Sequence, residues 1–324
     1  MRTRALALLV VLVVLAAPRV AAAADAAAAG AASADGSADD GGPPALRIAV
    51  DNMLVGRINP LALADLLRVG LAARLYKNPR PILRDNFLYF AFAPRITASS
   101  LRAGPQIELQ PLSILSLRLS GELVRFWGDF DSVQSFVSPT AVWSDSALGN
   151  NGKNGLNYPT EGAHVIFEPT LQMRVGPIAV RDHVTLDYWS LRLRPGDRVF
   201  YEAGADTLIP NGGLVFTNDV DVAWLTRVHL AVAVRYTVTV PLYSASDWAP
   251  GETPNGALNR QQRLGLALAY TFFDRHYTRF HSLSLFGIAA WYLEHRFRTG
   301  ADVSQALPYL LGGVSFQSDV LLAR

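Results

Sequence analysis

The chain has 324 residues; half are apolar, 17% are charged, the formal net charge is +2 and cysteine is absent. This much apolar surface excludes a wholly disordered protein, and so small a charge excludes a binder driven by counterion release from nucleic acid. Without cysteine there is no disulfide, thiolate metal site, cysteine nucleophile or lipid-modified N-terminal cysteine.

Residues 1–4 carry two arginines, 5–17 are an unbroken apolar run, and 21–24 are small residues before Asp25. This predicts a signal peptide over 1–24, cut after Ala24, because the run falls short of the roughly 20 residues of a spanning helix. Residues 25–44 are Ala, Gly, Ser and Asp closing on Gly41-Gly42-Pro43-Pro44, which predicts a disordered periplasmic leader. The folded domain is expected over 45–324.

From Ala45 onward the period is two. In residues 228–242, Val228, Leu230, Val232, Val234, Tyr236, Val238 and Val240 fall on one face, and His229, Ala231, Ala233, Arg235, Thr237 and Thr239 on the other. Residues 263–273, 163–175 and 113–126 repeat the pattern. Ordinary strands average five or six residues, whereas a tilted strand crossing a bilayer needs about 9–11. A soluble sandwich also alternates, but seldom keeps such long strands or sets Arg, Glu and His so regularly on the second face. The expected strands are 46–56, 66–76, 86–96, 101–110, 114–127, 163–175, 178–191, 214–225, 228–241, 261–272, 283–296 and 306–318. They imply an all-β, transmembrane, antiparallel up-and-down barrel of about twelve strands, with ten or fourteen as alternatives.

The connections at 128–162, 192–213 and 243–260 are long and polar, and those at 176–177 and 225–227 are tight. That alternation puts the long loops outside and both termini in the periplasm. Residues 198–208 also alternate and are assigned to the external loop. Trp127, Trp189, Trp291 and Trp224 lie near strand ends, where interfacial aromatic girdles are expected.

Together these features resemble Gram-negative outer-membrane β-barrel proteins of porin-like architecture, over roughly 45–320 and by pattern rather than motif. The resemblance implies the cell outer membrane, and as partners outer-membrane lipid, the barrel assembly machinery and small solutes, with no nucleic acid. Such barrels often end in an aromatic residue; here the nearest to the end is Phe316.

No Gly-x-Ser-x-Gly and no His-Glu-x-x-His occurs. His276 and His281, with Arg275 and Arg279, read as a solvated basic turn. His164, Glu168, His183 and Asp187 share one inner face around the turn at Gly176-Pro177, as a catalytic dyad, a metal site or an ordinary polar lumen. Asp206, Asn218, Asp219 and Asp221 offer oxygens to calcium, without the spacing of a calcium loop. The expected lumen-lining residues are Arg118, Glu122, His164, Glu168, Gln172, Arg174, His183, Asp187, Asp219, Asp221, Arg235 and Arg263. No catalytic residue, resident metal or cofactor is expected. The expected function is a narrow passive or substrate-selective channel, constricted by the 128–162 loop folding inward. The alternatives are an outer-membrane lipid or peptide hydrolase and a structural or adhesive barrel with a plugged lumen.

Overall fold

Residues 42–323 are described by a computed structural model; the expected signal peptide and nearly all of the leader lie outside them. The strands are β1 Leu46–Ile58, β2 Ala62–Ala73, β3 Phe87–Phe92 continued by Arg95–Thr97, β4 Ser100–Ala103 continued by Pro105–Leu112, β5 Leu115–Phe126, β6 Thr160–Val175, β7 Ile178–Leu191, β8 Gly213–Leu225, β9 Leu230–Leu242, β10 Gln261–Asp274, β11 Ser282–Glu294 and β12 Tyr309–Ala323. They form a closed antiparallel barrel of 12 strands. Each strand pairs with its sequence neighbours, and β12 pairs with β1 from Leu46–Ala323 to Ile58–Leu310. Closure leaves no free sheet edge, as hydrocarbon requires.

The two ends of the barrel chain meet at one rim, here the terminal rim; the long connections lie at the other, the loop rim. The sequence rule of long loops at that rim fails for its first two connections, which are tight turns at 59–61 and 98–99. Asn59 takes a φ of 60°, so β1 turns at once, and 62–65, expected as loop, belong to β2. Asp65 is tolerated there because Asn52 of β1 donates to its carboxylate. At the other end β12 runs on to Ala323, because β1 starts at Leu46 and needs a partner. Pro94 interrupts β3, having no N–H to give a ladder; the Leu67 N–H still reaches its carbonyl at 2.9 Å. Gly104 marks a close crossing of β4 and β5, where a Cβ would lie 1.8 Å from the Gly121 carbonyl oxygen.

Parity sorts the side chains. Val234 is 48% exposed and its neighbour Ala233 3%, so one faces out and the other in. Leu119, Phe167, Leu171, Val222, Leu266 and Leu285 likewise face out. The exterior carries a second carboxylate, Asp182, to which Asn218 donates. Trp127, Trp224 and Trp291 are exposed, in keeping with a girdle, but Trp189 is buried inside the barrel. It falls on the inward parity of β7, stacked on His164.

The interior has two unlike walls. On β7–β12 a register row runs Ala179, Ala223, Ala233, Ala267, Ile288 and Leu311. On β1–β7 the inward positions hold Asp51, Arg68, Glu108, Arg118, Glu168 and His183.

Val234→Arg is expected to cost about 2–4 kcal/mol and Leu242→Arg, at the strand end, about 0–1 kcal/mol, because the penalty for a lipid-facing charge falls from midplane to interface. Urea unfolding from phosphocholine vesicles measures both. Equal costs would place β9 wrongly in the bilayer.

Candidate functional site

Antiparallel register makes neighbours of residues far apart in sequence. Glu108 is the register partner of Arg118, and Arg118 of Glu168. The row is bonded throughout: Arg68 to Asp51, Arg68 to Glu108 at 2.7 Å, Arg118 to Glu108 at 3.2 Å, Arg118 to Glu168 at 3.5 Å, and His183 to Glu168 at 3.4 Å. It continues through Asp219, which accepts from Thr237, to Arg263, whose guanidinium lies 4.2 Å over the Tyr309 ring. A second row joins Asp221 to Arg235 by two bonds of 2.7 Å, with Arg181 3.8 Å away. These groups are largely buried although they face the lumen. Side chains fill the space, and the charges pair with one another rather than with bulk water.

Nearer the loop rim lies a tighter group. His164 stacks on its register partner Trp189, with ring centroids 3.7 Å apart and planes at 15°. Its Nδ1 is 3.1 Å from Glu122 and its Nε2 2.7 Å from Asp187. Arg95 reaches Glu122 at 2.8 Å, and Arg102 lies 4.6 Å over the Trp189 ring.

Above this group the barrel is plugged. Val199–Glu202 and Thr207–Pro210 form a hairpin, and Ser135–Phe136 adds a third strand to it. This resolves the ambiguous 198–208 segment: it is strand, but of a separate small sheet. The 128–162 loop does fold inward, as expected, through Val133, Trp143 and Leu148, but the hairpin supplies the tip. Arg57 of β1 donates to the carbonyls of Ala203 and Gly204, and Gln261 of β10 to that of Ala205. Arg102 of β4 pairs with Glu202 at 2.8 Å. Asp206 accepts from Arg298 at 2.6 Å, and from Tyr201 and Tyr292 of β11 at 2.9 Å each. Arg298, 1% exposed, also binds Asn59 at 2.7 Å and Asp145 at 2.7 and 2.8 Å. The tip thus touches β1, β4, β10 and β11.

Burial disfavours the charged form of Asp206, but hydrogen bonds from His295 and Arg298, and the Arg298 charge, outweigh it and hold the carboxyl far below the usual range. Burial likewise opposes ionisation of Glu202; the Arg102 charge and the Ala205 N–H win, and its pKa is lowered. Burial beside Asp206 raises the Tyr201 phenol.

Of the expected lining residues, Arg118, Glu122, His164, Glu168, His183, Asp187, Asp219, Asp221, Arg235 and Arg263 face the interior. Gln172 and Arg174 sit at the terminal rim, bonded to the Ser113 and Gly176 carbonyls at 3.2 and 2.8 Å. The four oxygen donors considered for calcium are dispersed: Asp206 in the plug, Asp219 and Asp221 in different rows, and Asn218 on the outer face. Arg57, Arg95, His295 and Arg298 were not legible. Nothing local links the string His295-Arg296-Phe297-Arg298 to the turn Glu202-Ala203-Gly204-Ala205-Asp206.

No family model matches the chain, and no curated protein sequence matches it. Among solved structures, Acinetobacter baumannii OccAB1 is similar at a TM-score of 0.38 and 12% identity, over 80% of this chain and 58% of that one. CdiB from Acinetobacter baumannii is similar at 0.40 and 8%, over 86% and 60%. The NanC porin is similar at 0.35 and 10%, over 84% and 99%. The chain therefore spans less than two thirds of the first two, at 58% and 60% of their lengths.

Because the Asp206 and Glu202 carboxyls are depressed in the folded state, their contribution is full above the ordinary carboxylate range and is lost as pH falls through the lowered values. The protection factors of the 199–210 amides, taken against the intrinsic exchange rate at each pH, should be equal at pH 8 and pH 5 and should fall only below about pH 4. Asp206→Asn should loosen the hairpin at neutral pH, since breaking a buried pair costs about 3–5 kcal/mol. Protection that already falls between pH 8 and pH 6 would show that other groups hold the plug.

Proposed function

We propose that the protein is a gated channel of the cell outer membrane, closed here by the 199–210 hairpin and passing small polar or charged solutes when that hairpin leaves the mouth. The plug carries the reading. Residues 202–206 meet the barrel through ion pairs and hydrogen bonds, which water can replace. Beneath them runs a lumen of paired charges of both signs, suited to small polar and zwitterionic solutes rather than to apolar or highly charged ones. The export signal expected at 1–24 and the apolar exterior support the outer membrane, with the loop rim outward, lipid around the wall and the assembly machinery as the route of insertion.

Among the described residues the hydrolase alternative finds no hydroxyl nucleophile beside its best base. Both ring nitrogens of its best base, His164, face carboxylates, and no hydroxyl is among its hydrogen-bond partners. The filled lumen favours a second reading, a permanently plugged structural barrel. Conductance in planar bilayers separates the two. The wild type should be mostly closed. Excision of 203–205 and the double variant Glu202→Gln, Asp206→Asn should each give a steady open level. If both variants fold, as heat-modifiable gel mobility reports, and neither conducts, the channel reading fails and the structural one stands.

A further inference from the structure

The turn 275–281, between β10 and β11, is folded against β12 at the terminal rim. The Arg275 N–H bonds the His281 carbonyl at 2.6 Å, the His281 N–H that of Gln317 at 3.0 Å, and the Asp319 N–H that of Thr278 at 2.9 Å. This backbone gathers three side chains that the channel does not use. Asp274 Oδ1 lies 3.5 Å from His276 Nδ1 and 3.6 Å from His281 Nε2, and the two nitrogens are 3.2 Å apart.

Two features of this group call for a cation. The Asp274 side chain is only 6% exposed, yet neither of its oxygens receives a hydrogen bond. A buried carboxylate without donors is costly. The three separations also match the edges of a coordination polyhedron. Ligands about 2.0–2.1 Å from a tetrahedral zinc ion lie about 3.3–3.4 Å from one another. The surroundings complete the pattern. His281 Nδ1 is 2.6 Å from Asp319 Oδ2, and Arg47 holds Asp319 at 2.9 Å. A carboxylate on the far nitrogen fixes the tautomer, so that Nε2 presents its lone pair to a metal. His276 is exposed, which gives an entry path and room for a water as fourth ligand. Arg275, the adjacent cation, lies over the Phe273 ring at 5.8 Å.

We infer that Asp274, His276 and His281 form a binding site for a divalent transition metal of the zinc class, with Asp319 as the positioning residue. Two imidazoles and one carboxylate select that class over calcium and magnesium, which prefer all-oxygen shells. A bound ion ties the β10–β11 turn to β12 beside the seam where the barrel closes. The histidine pair is therefore half of a metal site rather than a solvated basic turn.

The test uses the protein without a polyhistidine tag, refolded in detergent and stripped by a chelator. Calorimetry with Zn2+ should give one ion per chain with micromolar or tighter affinity, and Co2+ should show the intense visible bands of four-coordinate geometry. A large excess of Mg2+ should not compete. His276→Ala, at an exposed position, and Asp274→Asn should each weaken Zn2+ binding by more than about 100-fold, and Asp319→Asn by about 10–100-fold. His229→Asn, in another turn, should leave binding unchanged. Binding that survives His276→Ala, or wild-type binding no tighter than millimolar, overturns the site.

Discussion

A backbone amide in hydrocarbon has no water to bond, and the rest of this structure follows from that constraint. It requires strands long enough to cross, a ring without edges, and a closing seam as regular as any other pair, which β1 and β12 provide. At 12 strands the ring is too narrow for a wide aqueous pore. Inward polar side chains therefore meet one another, and the register decides which. Glu108, Arg118 and Glu168 are sequence-distant residues at one level on successive strands. Alternation of sign around that level is what lets them be buried.

The two interior walls divide the work. Most of the long charged side chains project from β1–β7, joined by Arg235 and Arg263 from β9 and β10, and a row of alanines on β7–β10 leaves room for them. Buried ion pairs add little net stability over an apolar filling, but losing one partner is expensive. Such an interior defines one arrangement of its charges and penalises the loss of any one of them. The hairpin is held in the same manner: Arg298 and Asp206 are both nearly inaccessible and each satisfies the other.

The period of two made the barrel legible, because lipid on one side and filled polar space on the other write themselves onto alternate residues. The residues expected on that face share its parity, Gln172 and Arg174 included through their register partners Arg181 and Ala179. Parity gives a face but not a depth, so Gln172 and Arg174 went to the rim. It also cannot tell an aromatic at the lipid interface from one inside, and Trp189, expected in the girdle, is buried within the barrel. Loop length misled at 57–65, where a left-handed Asn59 makes a long loop unnecessary. The plug's partners were illegible for another reason. Arg57 to Gly204 and Arg298 to Asp206 are contacts set by closure of the ring, and no local pattern encodes them.

The placement of the hairpin also couples it to the closure of the ring. It belongs to the connection between β7 and β8, yet its tip is gripped by Arg57 near the start of the barrel and by Tyr292 and Arg298 near its end. The grip of β1 and those of Tyr292 and Arg298 come together only in the closed ring, since β1 and β11 approach each other only through β12. The hairpin's apolar residues are covered from nearby: Phe200 and Ile209 cluster with Val124, Phe126, Trp189, Leu191 and Val215 of β5, β7 and β8, and Val199 and Leu208 with Trp143 and Leu148. The full set of contacts at the tip is therefore a mark of the closed ring: without the β1–β12 pairing the hairpin is held on one flank alone.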